Sequence, residues 1–146
     1  MREIEFRGIR SSNKQWVYGN LIAREEPYEH DIVQSIGSTS KVSYSIIRGT
    51  EGQYIGITDI HQKRVFQGDI VKVKEIIYTD CSRESIEEIR EYTGEVVWNQ
   101  YAWQIAKETL HGIELRSLWL WNIEGEGNDT MEIIGNRWDN PELAVI

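Results

Sequence analysis

The chain of 146 residues contains one cysteine (Cys81), two prolines (Pro27 and Pro141) and three histidines. A lone cysteine excludes an internal disulfide and any zinc site built on a cysteine cluster. Two prolines and no low-complexity tract argue against long disordered linkers. No apolar run approaches the ~20 residues needed to cross a bilayer, and the opening MREIEFRGIR is too charged for a secretory signal. His30, His61 and His111 each lack a second histidine three to five residues away, so a zinc site would need ligands from distant strands. Glycine-rich phosphate loops, nucleophile elbows and HExxH patterns are also missing. These absences point to a soluble, cytoplasmic protein that is not an enzyme and carries no cofactor or metal.

What is present is ordinary globular composition with a strong acidic bias. Hydrophobic residues make up 40% and charged residues 27%, enough for one domain that folds without staples. The net charge is −8 and unevenly spread. Residues 75–95 hold seven acids against Arg83 and Arg90, a balance of −5, whereas residues 1–24 carry five bases against two acids. The plain reading is a solvated acidic face. The sharper one is a surface that meets a basic protein partner or imitates nucleic acid, with Glu84, Glu87, Glu88 and Glu91, together with Trp98 and Trp103, as partner-contact candidates. Tight duplex binding is disfavoured, because it depends on neutralising phosphates with Lys and Arg.

Periodicity predicts a mainly β chain with one or two short helices. Ile4 and Phe6 alternate with charged residues, the period-two pattern of a half-buried strand. Residues 15–23 (QWVYGNLIA), 41–49 (KVSYSIIRG) and 53–60 (QYIGITDI) read as further strands, with a polar break at 24–30 around Pro27. Ile70, Val71 and Val73 alternate with Lys72 and Lys74 directly after Gly68-Asp69. Residues 93–106 (TGEVVWNQYAWQIA) read as a hairpin, and MEIIGN (131–136) as a last strand. Residues 75–92 fit either a hairpin or a short helix, since Ser85 and Glu88 make a capping-box pattern. ELRSLWLWN (114–122) is more helical than extended, with Leu115, Leu118 and Trp119 at helical spacing. Asn140 is a candidate N-cap and Pro141 a first helical residue. Short turns between strands favour antiparallel sheets, with an SH3-like, barrel-like second half. One domain over 1–146 is expected, with an N-terminal β lobe (about 1–60) packed on a C-terminal lobe (about 61–146).

Three segments together resemble the YopX family of phage and prophage proteins. IEFRG (4–8) is similar to that family's opening. QYIGITDIHQKRVFQGDIVKV (53–73) is similar to its central signature, and EIIGNRWDNPEL (132–143) to its ending. Two departures stand out. His61-Gln62 replaces the family's common Asn-Gly, which makes a two-residue type I′ turn doubtful and a longer connection expected. Gln67 stands where the family often has Glu. The resemblance implies a β-rich fold in a bacterial host cell carrying a mobile element. The family has no assigned activity, so no catalytic residue carries over.

Asp69 is the residue most open to a catalytic reading, with Asp59 as its partner across a turn in a metal-dependent hydrolase. The structural alternative is favoured: Gly68 supplies an unusual backbone conformation and Asp69 bonds nearby N–H groups. The same device accounts for Gly135-Asn136 and Asn140-Pro141. Cys81 lies in an acidic stretch, which disfavours a thiolate. The six tryptophans allow a second function, a single-stranded nucleic-acid binder stacking bases on Trp98 and Trp103. That reading needs a basic groove, for which Arg2, Arg7, Lys63, Arg64, Lys72 and Lys74 are the candidates. Core and subunit contact is the simpler use of these rings. Homo-oligomers are expected if open sheet edges need cover.

Overall fold

The computed structural model describes residues 3–118 and 129–145, and its regular structure is almost wholly β. Contacts divide the chain into two compact units, Met1–Ile57 and Thr58–Ile146.

In the first unit, β1 (Phe6–Ile9), β2 (Trp16–Ile22), β3 (His30–Ile36), β4 (Ser40–Ile46) and β5 (Gly52–Thr58) lie in the order β4-β3-β2-β1-β5. Every pairing is antiparallel. Ile32 and Ile46 are completely buried and centre the core. Arg7 is buried too, its guanidinium 4.5 Å over the Trp16 ring, so it is absorbed by packing. The polar break at 24–30 is held by side chains: Arg48 donates to the carbonyls of Arg24 and Tyr28 at 2.6 Å each, and Arg24 pairs with Asp31 at 2.6 Å.

In the second unit, β6 (Arg64–Phe66) precedes β7 (Asp69–Tyr78), β8 (Ile86–Asn99), β9 (Ala102–Thr109), β10 (Gly112–Ser117) and β11 (Thr130–Asn136). The last five form an antiparallel sheet in the order β10-β9-β8-β7-β11, curled into a half-barrel. Ile70, Val71, Val73, Val96 and Ile105 are at most 1% exposed. Asp69, Ile70 and Val71 are buried in succession, and the exposed Lys72 and Lys74 then restore the alternation around Val73.

Several sequence expectations change. Residues 114–117 are strand, not helix, and 119–122 lie outside the described residues. Leu115 and Leu118 do have helical spacing, but Leu115 lies in an outer strand whose residues are mostly exposed. Residues 75–92 are the arms of a hairpin, with Ile76 opposite Ile89 and Tyr78 opposite Ile86. Asn140 occupies the position before the 3-10 turn Pro141–Leu143 without a side-chain cap; its Oδ1 instead accepts the Asn136 N–H at 3.3 Å. The connection at His61-Gln62 is a three-residue loop: Asp59 N–H donates to Lys63 O at 2.9 Å, and Gln62, at φ 61°, donates to Asp59 O at 3.0 Å. Strand β3 was not anticipated.

Candidate interaction surface

The acids flanking the central turns are bound into the backbone. Asp69 is 1% exposed and its Oδ2 accepts the Phe66 N–H at 2.8 Å. Gly68, at φ 88°, donates its N–H to Val96 O and accepts from Arg137 N–H, each at 2.9 Å, while the Trp138 ring closes over its missing side chain. No residue with a Cβ fits there without displacing that ring. Asp59 is likewise buried. Its Oδ1 accepts from His61 and Lys63 N–H at 2.9 Å each, and its Oδ2 from Ile133 N–H at 3.1 Å. Burial alone would raise this carboxyl's pKa. The three amides, helped by the charge of His61, outweigh it and hold the pKa below the usual carboxylate value.

The carboxyl-terminal turn works in the same way. Asn136 Oδ1 accepts from Trp138 and Asp139 N–H at 3.1 and 2.9 Å, and Asn140 closes on Gly135, where a side chain would not fit. Beside it, Glu95 is 1% exposed. Its carboxylate takes Arg137 Nη1 at 3.2 Å and Val145 N–H at 3.1 Å, fastening the chain end to β8. Sequence reading had counted Glu95 among the acids of a solvated face. Its place between Gly94 and Val96 in a strongly apolar strand was the available signal.

Among the described residues, no cluster of three or more His, Cys, Asp or Glu side chains is placed to hold a metal. His61 is exposed beside Glu132 at 3.4 Å, His30 accepts the Arg24 N–H at Nδ1, and Cys81 is exposed.

Trp98 and Trp103 face each other across the β8–β9 hairpin, with ring centroids 4.8 Å apart and planes at 67°. Gln100 and Tyr101, both left-handed, make the tight turn and leave Tyr101 exposed. Trp98 is half exposed and Trp103 half buried. Register puts Lys107 and Arg116 on the same sheet face as these rings. Both cations are occupied: Lys107 lies 3.7 Å from Glu114, and Arg116 lies 3.3 Å from Glu75 and 3.1 Å from Glu114. They also lie over the Tyr92 ring, whose phenol is pushed well above its usual pKa by burial and then by the charge of Glu75. Phosphates would have to displace these carboxylates. Arg7 belongs to the first unit, Lys63, Arg64, Lys72 and Lys74 to the second, and Lys72 lies 3.7 Å from Glu91. Arg2, Trp119 and Trp121 lie outside the described residues.

A half-exposed apolar face lies at the far end of the β7–β8 ribbon. The register slips between Ile77 and Tyr78, leaving Glu87 as the extra residue. This slip brings Ile86 onto the same face as Ile76, Tyr78 and Ile89, which a regular strand would not do. Ile86 is 54% and Ile89 50% exposed. Glu84, Glu87, Glu88 and Glu91 are exposed around them, with Arg90 bonded to Glu88 at 2.9 Å. Helical spacing at 86 and 89 therefore encoded a bulged strand with an apolar face and an acidic rim.

The model of the family described as YopX protein matches residues 5–144, so the chain belongs to the YopX family. No curated protein matches it. No helix among the described residues is long and apolar enough to cross a membrane.

Proposed function

We propose that this YopX-family chain is a non-catalytic phage or prophage accessory protein that binds a protein partner through the end of the β7–β8 ribbon. The observation behind the reading is the half-exposed pair Ile86 and Ile89 within a rim of glutamates. An exposed apolar patch with a mainly acidic border, in which Arg90 is paired with Glu88 and Arg83 lies 5.9 Å over the Tyr78 ring, suits a partner with an apolar pocket and a largely basic border. The buried carboxylates at 59, 69 and 95 each serve backbone or ion-pair anchoring, which supports a scaffold role for them. A pull-down from host lysate at moderate salt tests it. Wild type recovers a host or phage protein; Ile86→Asp/Ile89→Asp, melting at an unchanged temperature, recovers none. Equal recovery by both, or none by wild type, contradicts the reading.

A further inference from the structure

The ladder of β9 fixes which backbone groups of β10 face outward. Asn99 and Ala102 flank the two-residue turn, so 102, 104 and 106 bond β8, and 103, 105, 107 and 109 bond β10. The Leu118 N–H donating to Trp103 O at 3.3 Å follows the same phase. On β10 that leaves the N–H and C=O of Ile113, Leu115 and Ser117 pointing away from the sheet. Among the described residues β10 is the last strand on that side. The strand carries two charges, Glu114 and Arg116, but no proline, no lysine and no bulge in its register, and Ile113 and Leu115 are 53% and 40% exposed.

We propose that β10 pairs with β10 of a second copy of this chain, antiparallel about a two-fold axis at Leu115, so that the sheet runs on through a homodimer. The segment Ile113-Glu114-Leu115-Arg116-Ser117 is self-complementary in that register. Leu115 meets its own copy, Ile113 meets the partner subunit's Ser117, and Glu114 stands opposite the partner subunit's Arg116 on both sides of the axis, extending the Glu75, Glu114, Lys107 and Arg116 ion pairs that each copy already holds. The Glu–Arg pairs fall at non-hydrogen-bonded positions, where cross-strand side chains approach most closely. Other registers lose this match. An axis at Ile113 sets Glu114 opposite Gly112, and an axis at Glu114 sets two carboxylates face to face. A two-fold arrangement also closes on itself, so the exposed edge is consumed without growth into fibres. This pairing is separate from the ribbon surface and stands or falls without it.

Light scattering on size-exclusion fractions at tens of micromolar reads the mass directly against the 17.1 kDa chain. The expected result is twice that mass for wild type and the chain mass for both Leu115→Pro and Leu115→Lys. Proline at 115 removes an outward N–H without touching the β9 ladder, and lysine sets two ammonium groups together on the axis. Thermal melts identify a variant that has simply unfolded; Leu115→Lys is the milder of the two. Nitroxide labels in a Cys81→Ser background test the register: the inter-copy distance is shortest at 115 and grows at 113 and 117. A monomeric wild type overturns the proposal. So does an assembly whose mass neither variant reduces, or a distance minimum elsewhere.

Discussion

Replacing Arg137 by alanine isolates the anchor at the end of the chain. Glu95 is 1% exposed and has Arg137 at 3.2 Å on one oxygen and Val145 N–H at 3.1 Å on the other. Removing one partner of a buried ion pair costs about 3–5 kcal/mol, because the other charge stays behind. Here the Arg137 side chain is 39% exposed, so water already screens part of the pair and the expectation falls to about 2–3 kcal/mol. At roughly 2–4 °C per kcal/mol for a chain of this size, the melting temperature should drop by about 4–12 °C. Glu95→Gln keeps an acceptor for Val145 and removes the charge, so it should cost under about 1.5 kcal/mol. The decisive sample is Arg137→Ala/Glu95→Gln, which should be more stable than Arg137→Ala alone, since no unpaired charge remains. Urea melts of the four proteins close the cycle. If the double variant loses the sum of both single losses, Glu95 is not a buried charge held by Arg137, and the reasoning fails.

Three further outcomes follow from the same geometry. Asp59 has its pKa lowered in the folded state, so its stabilisation is complete above the ordinary carboxylate value and is lost as pH falls through the lowered one; melting curves taken across that acid range should flatten in Asp59→Asn, and an unchanged acid limb would refute this. Gly68→Ala should cost about 1–3 kcal/mol in backbone strain and displace Trp138 as well, whereas Gly37→Ala, at φ 66° with open space around it, bears only the strain; equal losses in the two melts would contradict the packing account. Adding single-stranded oligonucleotide at low salt should leave tryptophan emission unchanged, and salt-reversible quenching that disappears in Trp98→Ala would favour the nucleic-acid reading instead.

Legibility in the sequence followed locality. The turns at Gly68-Asp69 and Gly135-Asn136 could be read because glycine, aspartate and asparagine act on backbone within a few residues. The strands at 16–22 and 52–58 and the start of β7, residues 69–74, were visible in their branched and aromatic residues. Strand β3 was hidden because His30, Asp31, Ile32 and Val33 are all buried, so the segment shows no alternation. The β7–β8 ribbon stayed ambiguous since one bulge turns period two into an i, i+3 spacing. At 114–117 the leucines imitate a helix face, and only the pairing with β9 separates the two readings. The burial of Glu95 was legible in the apolar strand around it, but its partner was not, because Arg137 lies 42 positions later.

Whether the buried Asp59 and Asp69 serve only the backbone is tested by thermal melting with and without Mg²⁺ or Mn²⁺. A native-state ion at a hundredfold its dissociation constant would add about 2.7 kcal/mol, roughly 5–11 °C here. The midpoint of the wild-type protein is expected to stay unchanged. A rise of that size, abolished by Asp59→Asn or Asp69→Asn, would contradict it.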